Sequence, residues 1–300
     1  MARNYLYTFD DIYITDHQRQ FYEDNGYLII RKLVNENLID LCLERFLDIA
    51  NGRVKPDPKM IPMKDIQLKK LGKTGEMMYY KLNDILYDDI FYKYASNKNI
   101  LNIVSSIIGP TVTACHSMII NKPPHADSDS SRHPMHQDMH YFSFGPANKI
   151  VAVWTAMERI DARNGCLFGV PGSHKGKLYP HSYPDNVKNP AFHGVYNVGN
   201  VETVNFVMEK GDTIFFHPIL LHGSGPNYTK GFRRALSVHY ANTNSEFYDV
   251  IGTTQENVTL ELQEIFKRKG VEAHYHDIWR WKSRLMLGPP GNFQKFTNKM

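Results

Sequence analysis

The stretch Arg132-His133-Pro134-Met135-His136-Gln137-Asp138-Met139-His140-Tyr141 puts three histidines and one aspartate into ten residues of a 300-residue chain. On an extended backbone, His136 and Asp138, two apart, project from one face. An imidazole beside a carboxylate is two-thirds of a facial two-histidine, one-carboxylate iron site, which needs one more histidine. Taken alone, an H-x-D pair is more often a surface pair at a strand end. The third ligand therefore decides.

Downstream candidates are His174, His181, His193, His217, His222 and His239. His222 stands out in Gly211-Asp212-Thr213-Ile214-Phe215-Phe216-His217-Pro218-Ile219-Leu220-Leu221-His222-Gly223-Ser224-Gly225. An apolar strand is expected to end there, with glycines behind it that let backbone or ligand approach. The set His136, Asp138 and His222 has 222 − 136 = 86 residues between its histidines. It leaves three positions on octahedral iron, two for a bidentate cosubstrate and one for O₂. A structural zinc site would be closed and four-coordinate, usually with cysteine. Arg233, eleven residues after His222 in Gly231-Phe232-Arg233-Arg234-Ala235, opens the next expected strand. A lone arginine there is usually a solvated cation, but its fork suits bidentate capture of a carboxylate. A 2-oxo acid chelating iron at one end would place its other carboxylate some distance away, within reach of such a residue.

Composition sets the bounds. Hydrophobic content of 42% and charged content of 22% are ordinary for a globular chain that buries a large core. A net charge of +4 is too mild to suggest a nucleic-acid partner. Cys42, Cys115 and Cys166 are too few for a disulfide framework and match no zinc spacing, so reduced intracellular thiols are expected. No apolar run approaches the roughly 20 residues of a membrane span. Met1 to Asp16 carries no signal-peptide core. The 18 Tyr and 16 Phe suit a β-rich core or a broad apolar pocket.

In chain order, Thr15 to Asn25 reads as a helix capped by Thr15 and stopped by Gly26. Tyr27 to Ile30 reads as a strand. A second helix follows Asn35, with Leu38, Leu41, Cys42, Arg45 and Phe46 at helical spacing. From Asn51 to Gly75 prolines and glycines predict a loop, rich in Arg53, Lys55, Lys59, Lys64, Lys69, Lys70 and Lys73. Ser96 to Ile108 is a third helix. Strands are expected over Thr111–Asn121, Ile150–Ala156, Cys166–Val170, Val201–Met208, Thr213–Phe216 and Ala235–Tyr240. No linker divides the chain. The reading is one domain over residues 1–300: a largely helical part (1–110), a closed β core such as a sandwich or barrel (111–245) and a C-terminal extension (246–300).

Several segments, taken together, resemble the phytanoyl-CoA dioxygenase (PhyH) family of Fe(II)/2-oxoglutarate oxygenases. They are Ser131 to Phe142, Trp154-Thr155-Ala156-Met157-Glu158, Asn164-Gly165-Cys166-Leu167, Pro171-Gly172-Ser173-His174-Lys175-Gly176, His222-Gly223-Ser224-Gly225 and Gly231-Phe232-Arg233. The resemblance runs from about Thr15 to Asp277-Ile278-Trp279. It implies a mainly β (α+β) fold with a double-stranded β-helix (jelly roll, cupin-like) core and flanking helices. It implies His136, Asp138 and His222 as iron ligands, and Arg233 on the distal carboxylate of 2-oxoglutarate. Lys81, Met118, Gln137, Trp154 and Ser224 match positions that line the cosubstrate site. Read without the resemblance, Met118 and Trp154 are ordinary core residues and Ser224 a turn residue. The activity it implies is 2-hydroxylation of phytanoyl-CoA and related 3-methyl-branched acyl-CoAs in fatty-acid α-oxidation. Fe(II), 2-oxoglutarate and O₂ would be consumed or cycled, succinate and CO₂ released, and ascorbate stimulatory. Asp138 favours hydroxylation, because related iron halogenases lack this carboxylate.

No side-chain acid or base is required, so His133, His140 and His174 carry no catalytic role in this reading. The basic loop offers lysines for the phosphates of CoA, or is simply a solvated loop. The resemblance implies a peroxisomal location, although Asn298-Lys299-Met300 is only a loose match to an S-K-L type address. The oligomeric state stays open. Three rivals stand beside this reading: another cupin-like metal enzyme, a non-catalytic scaffold, and a 2-oxoglutarate oxygenase acting on a different small molecule or acyl substrate.

Overall fold

A computed structural model describes residues 4–64, 72–124, 132–183, 193–268 and 270–296. Lys69, Lys70 and the tripeptide Asn298-Lys299-Met300 lie outside the described residues. Helices among the described residues are α1 (Asp16–Asn25), α2 (Glu36–Ala50), α3 (Asp89–Ala95), α4 (Lys98–Ile108), α5 (Glu256–Arg268) and α6 (Tyr275–Lys282).

Two antiparallel sheets form the core of the architecture. The larger runs in the order β1 (Tyr27–Ile30), β10 (Thr213–Phe216), β7 (Ile150–Ala156), β12 (Arg233–Asn242), β4 (Val112–Lys122), β3 (Tyr79–Asn83), β2 (Ile61–Lys64). A further strand, β14 (Arg284–Leu287), pairs with the start of β4. The smaller sheet runs β5 (His133–His136), β11 (His222–Ser224), β8 (Leu167–Gly169), β9 (Val204–Asn205). A short ribbon joins β6 (Phe144–Gly145) to β13 (Glu246–Phe247). This is the expected jelly roll with flanking helices.

The central strands are buried on both faces, so alternation decides which residues see helices and which see the interior between sheets. On β7, Val151 and Val153 pack outward with Phe46, Tyr94 and Ile107 of the helices. Ala152, Trp154 and Ala156 face inward with Phe216 and Ala235. On β12, Leu236, Val238 and Tyr240 go outward. Arg233, Ala235, Ser237 and His239 therefore share the inner face, by the two-residue period of a strand.

Helix ends follow their sequence signals. Thr15 accepts from the Gln18 amide, and Gly26 ends α1 in the left-handed region at φ 77°. A Cβ on Gly26 would stand 2.4 Å from the His174 ring, so glycine is required twice over. Asn35 caps α2.

Several boundaries differ from expectation. The N-terminal part contributes β2 and β3 to the large sheet, although 51–75 reads as loop and 79–83 carries no strong period. The third helix forms as α4, capped by Asn97, and a short helix that the sequence reading does not anticipate, α3, precedes it. Of Val201–Met208 only Val204 and Asn205 pair in a strand. His222 does not end an apolar strand. β10 stops at Phe216, and Pro218 to Leu221 form a buried turn before His222 opens β11. Asp138 is not on a strand either: β5 ends at His136 and Asp138 begins a short 3-10 turn (Asp138–Tyr141). Gln137 stays extended between them, at φ −127° and ψ 125°. The same-side projection of His136 and Asp138 therefore survives.

Candidate active site

β5 and β11 bring the two histidines together. His136 and His222 are register partners on these antiparallel neighbours. Asp138 follows one turn away. His136, Asp138 and His222 are all buried, and their candidate ligand atoms lie within 4.8 Å of one another. His136 Nε2 is 3.3 Å and His222 Nε2 3.6 Å from Asp138 Oδ1.

Tautomers follow from the outer hydrogen bonds. His136 Nδ1 donates to the Pro134 carbonyl at 2.9 Å, and His222 Nδ1 to the Leu220 carbonyl at 2.9 Å. Each bond reaches two residues back along the chain and leaves Nε2 as the lone-pair donor facing Asp138. Burial, then the neighbouring His136, lowers the His222 pKa to about 4, so the ring is neutral and ready to ligate. Burial alone would push the Asp138 carboxyl up. The neighbouring His222 and His239, with the hydrogen bond from His239, outweigh it and hold Asp138 well below the usual range. A buried carboxylate between two imidazole nitrogens suits one face of an octahedral divalent cation such as Fe(II).

Several further histidines brace this centre. His239 Nε2 donates to Asp138 Oδ2 at 2.8 Å, which leaves Oδ1 for the metal side. The His116 ring stacks against His239 with centroids 5.8 Å apart. His181 Nε2 accepts the Gln137 backbone N–H at 2.9 Å and fixes the residue between the two ligands. The ring of His133 stacks on His136 at 3.8 Å, and His140 stacks on His181 at 4.2 Å. His174 does not join the centre; it donates to the Glu23 carbonyl under α1.

Beside the metal ligands a cavity is lined by Lys81, Lys122, Trp154, Ser224 and Arg233, among others. Arg233 is 1% exposed, and its Nε and Nη1 have no hydrogen-bond partner among the described residues. Trp154 Nε1 has none either. Burial lowers the Arg233 pKa to about 10, against the pull of Glu158. Burial lowers that of Lys81 to about 8, with Asp138 pulling it up and Arg233 pushing it down. Lys81 therefore shares the cavity with Arg233 and feels the charge of the metal-side carboxylate. A pocket of orphaned donors and excess positive charge fits a dianion such as 2-oxoglutarate. Met118 lies on the same inner row of the sheet, opposite Ser237, which in turn faces Trp154.

Gln137 is placed differently from its expected companions. Its amide donates to the Lys177 and Ile219 carbonyls and accepts from the Tyr179 N–H. Its side chain thus ties together the loops behind the metal ligands. Gly165 packs against the loop that follows Ser224: at φ +82°, a Cβ there would stand 2.5 Å from the Gly225 carbonyl.

The sequence profile of the family described as Phytanoyl-CoA dioxygenase (PhyH) matches residues 22–235. The chain belongs to the phytanoyl-CoA dioxygenase family. A rat relative, "Phytanoyl-CoA dioxygenase, peroxisomal", is 43% identical over 291 residues, covering 95% of this chain and 86% of the relative. A Caenorhabditis elegans relative, "Probable phytanoyl-CoA dioxygenase", is 42% identical over 303 residues, covering 95% and 97%. Among solved structures, EctD from S. alaskensis with 2-oxoglutarate and 5-hydroxyectoine aligns at a TM-score of 0.61. That match has 15% identity and covers 78% of each chain, so it speaks for the jelly roll alone.

Proposed function

We propose that this member of the family is an Fe(II)- and 2-oxoglutarate-dependent dioxygenase that 2-hydroxylates phytanoyl-CoA and related 3-methyl-branched acyl-CoAs. The observation that carries the reading is the buried His136, Asp138, His222 set opening beside a cavity whose orphaned polar groups are donors. Bound there, Fe(II) and 2-oxoglutarate supply the oxidising chemistry that uses O₂ and releases succinate and CO₂. The protein's part is to hold and orient.

His136 and His222 present Nε2 because their Nδ1 protons are fixed on backbone carbonyls. Asp138 presents Oδ1 because His239 holds Oδ2. Arg233 is assigned to the distal carboxylate, with Ser224 and Trp154 as neutral donors. Lys81, which lines the same cavity and is drawn by the Asp138 charge, is assigned to the end of the cosubstrate nearest the metal. Met118 and Ile120 supply apolar wall. Gln137 acts by position, bracing the loop between two ligands. Sheets, helices and C-terminal segment are taken to work as one domain.

The acyl-CoA assignment and a peroxisomal location draw on the names of the relatives. Phosphates of CoA are assigned to the basic stretch Arg53 to Lys73. Lys73→Glu, with Lys69 and Lys70 also reversed, is expected to raise KM for acyl-CoA but not for a substrate mimic lacking CoA. Equal effects on both would remove that assignment. A reporter carrying the last dozen residues tests the address; a cytosolic reporter counts against it.

The direct test of the reaction is 2-oxoglutarate turnover by the Fe(II)-loaded protein across straight-chain, 2-methyl- and 3-methyl-branched acyl-CoAs, with free acids as controls. Turnover highest with 3-methyl-branched thioesters is expected. Turnover with free acids alone would indicate a different substrate class.

A further inference from the structure

We propose that Lys122 is a second cation of the pocket that receives the distal carboxylate of the 2-oxo acid, acting through its own charge and through the hydroxyl of Ser224. The proposal rests on the reading of this cavity as a 2-oxoglutarate site. Lys122 ends β4 and is the register partner of Arg233, which opens β12. Directly opposed residues on neighbouring strands project from the same face, and like charges so placed repel. Both are buried, Lys122 at 5% exposure and Arg233 at 1%. Among the described residues Lys122 makes no ion pair with a carboxylate, and burial, then Arg233 and Lys81, push its pKa well down against a weaker pull from Cys166. Glu158, the carboxylate near Arg233, is engaged by the Arg234 backbone N–H. Two desolvated cations side by side without a shared carboxylate are a costly arrangement unless an anion joins them.

The hydrogen bonds of Lys122 assign it a second effect. Its Nζ donates to Ser224 Oγ at 2.8 Å and to the Gly225 carbonyl. A hydroxyl carries one proton and two lone pairs. With one lone pair of Ser224 taken by the ammonium, its own proton points away from Lys122, and Ser224 lines the cavity. Lys122 thus sets Ser224 as a donor towards an anion. The backbone is fixed for this purpose. Asn227 Nδ2 donates to the Lys122, Pro123 and Gly231 carbonyls and stitches the 224–231 loop to the end of β4.

The test is anaerobic calorimetric titration of the Fe(II)-loaded full chain with 2-oxoglutarate and with pyruvate, a 2-oxo acid lacking the distal carboxylate. Lys122→Met is expected to weaken 2-oxoglutarate about 10- to 100-fold, the range for loss of a charge-assisted contact. Pyruvate affinity should stay within about threefold. In a Ser224→Ala background the same change should cost less, because the two groups act in series. Lys122→Arg should recover part of the loss. Equal affinity of wild type and Lys122→Met for 2-oxoglutarate would overturn the proposal, as would an equal loss of pyruvate. If Lys122→Met does not fold, Lys122→Gln is judged by the same criteria. Failure of the wild type to bind 2-oxoglutarate would instead refute the reading of the cavity, a distinguishable result.

Discussion

Removing the imidazole of His239 probes how the ligand set is held. His239 Nε2 donates to Asp138 Oδ2 across 2.8 Å in a buried setting, where Asp138 also faces His136 and His222. His239→Leu keeps apolar volume and deletes the donor. A hydrogen bond to a buried charged acceptor contributes about 1.5–3 kcal/mol, and about 1.4 kcal/mol is tenfold in affinity. Groups of this kind behind metal ligands typically change metal affinity by roughly 10- to 100-fold. The expected result is Fe(II) or Mn(II) binding weakened by that factor in anaerobic titration. His239→Gln, whose amide can donate to the same oxygen, should recover most of it. Thermal melting of the metal-free variants separates this effect from a general loss of structure. Metal affinity of His239→Leu within about threefold of wild type would refute the reasoning, since Asp138 would then be positioned without it.

Other outcomes follow from the same geometry. Arg233→Met should weaken 2-oxoglutarate by about 100-fold or more, for loss of a two-pronged contact, while leaving the cosubstrate-free protein as stable as wild type; anaerobic titration and melting read the two. Gly165→Ala should lower stability by at least ~2 kcal/mol in urea unfolding, because φ +82° is strained for alanine and its Cβ would meet the Gly225 carbonyl. Acid should destabilise the metal-free protein through His174 and His217, whose pKa values burial lowers to about 4 and about 3. The unfolded state, with histidine near 6.5, takes the proton first; the contribution is therefore full above about pH 6.5 and declines as pH falls towards those values, by up to about 1.4 kcal/mol per pH unit per group. His217→Asn, which can still accept from the Ile219 N–H that His217 Nδ1 holds, should flatten the slope of urea stability against pH by about one proton.

What was legible in the sequence was whatever a short-range signal controls. Thr15 and Gly26 bracket α1, and the long β-rich runs become β4, β7 and β12, because caps and two-residue alternation are local. The placement of His222 was harder to read. Pro218-Ile219-Leu220-Leu221 looks like the end of a strand, yet it is a buried turn, and apolar runs this short do not distinguish the two. Lys81 sits in a strand with little alternation of its own, which forms by pairing with β4 far along the chain. In the sequence His239 stands out only as one ligand candidate among several, although counting by twos from Arg233 places it on the inner face of β12. Its partner Asp138 is 101 residues away, and no sequence pattern links them. Lys122 was hidden for the same reason: its meaning comes from standing opposite Arg233.

The most direct measurement of the central claim is coupled turnover: CO₂ released from 2-oxoglutarate and 2-hydroxyacyl-CoA formed, both followed with a 3-methyl-branched acyl-CoA and Fe(II). The account predicts equal amounts of the two products from the wild-type protein, and neither from His136→Ala or Asp138→Ala. Full turnover by either variant, or hydroxylation that proceeds without 2-oxoglutarate, would contradict it.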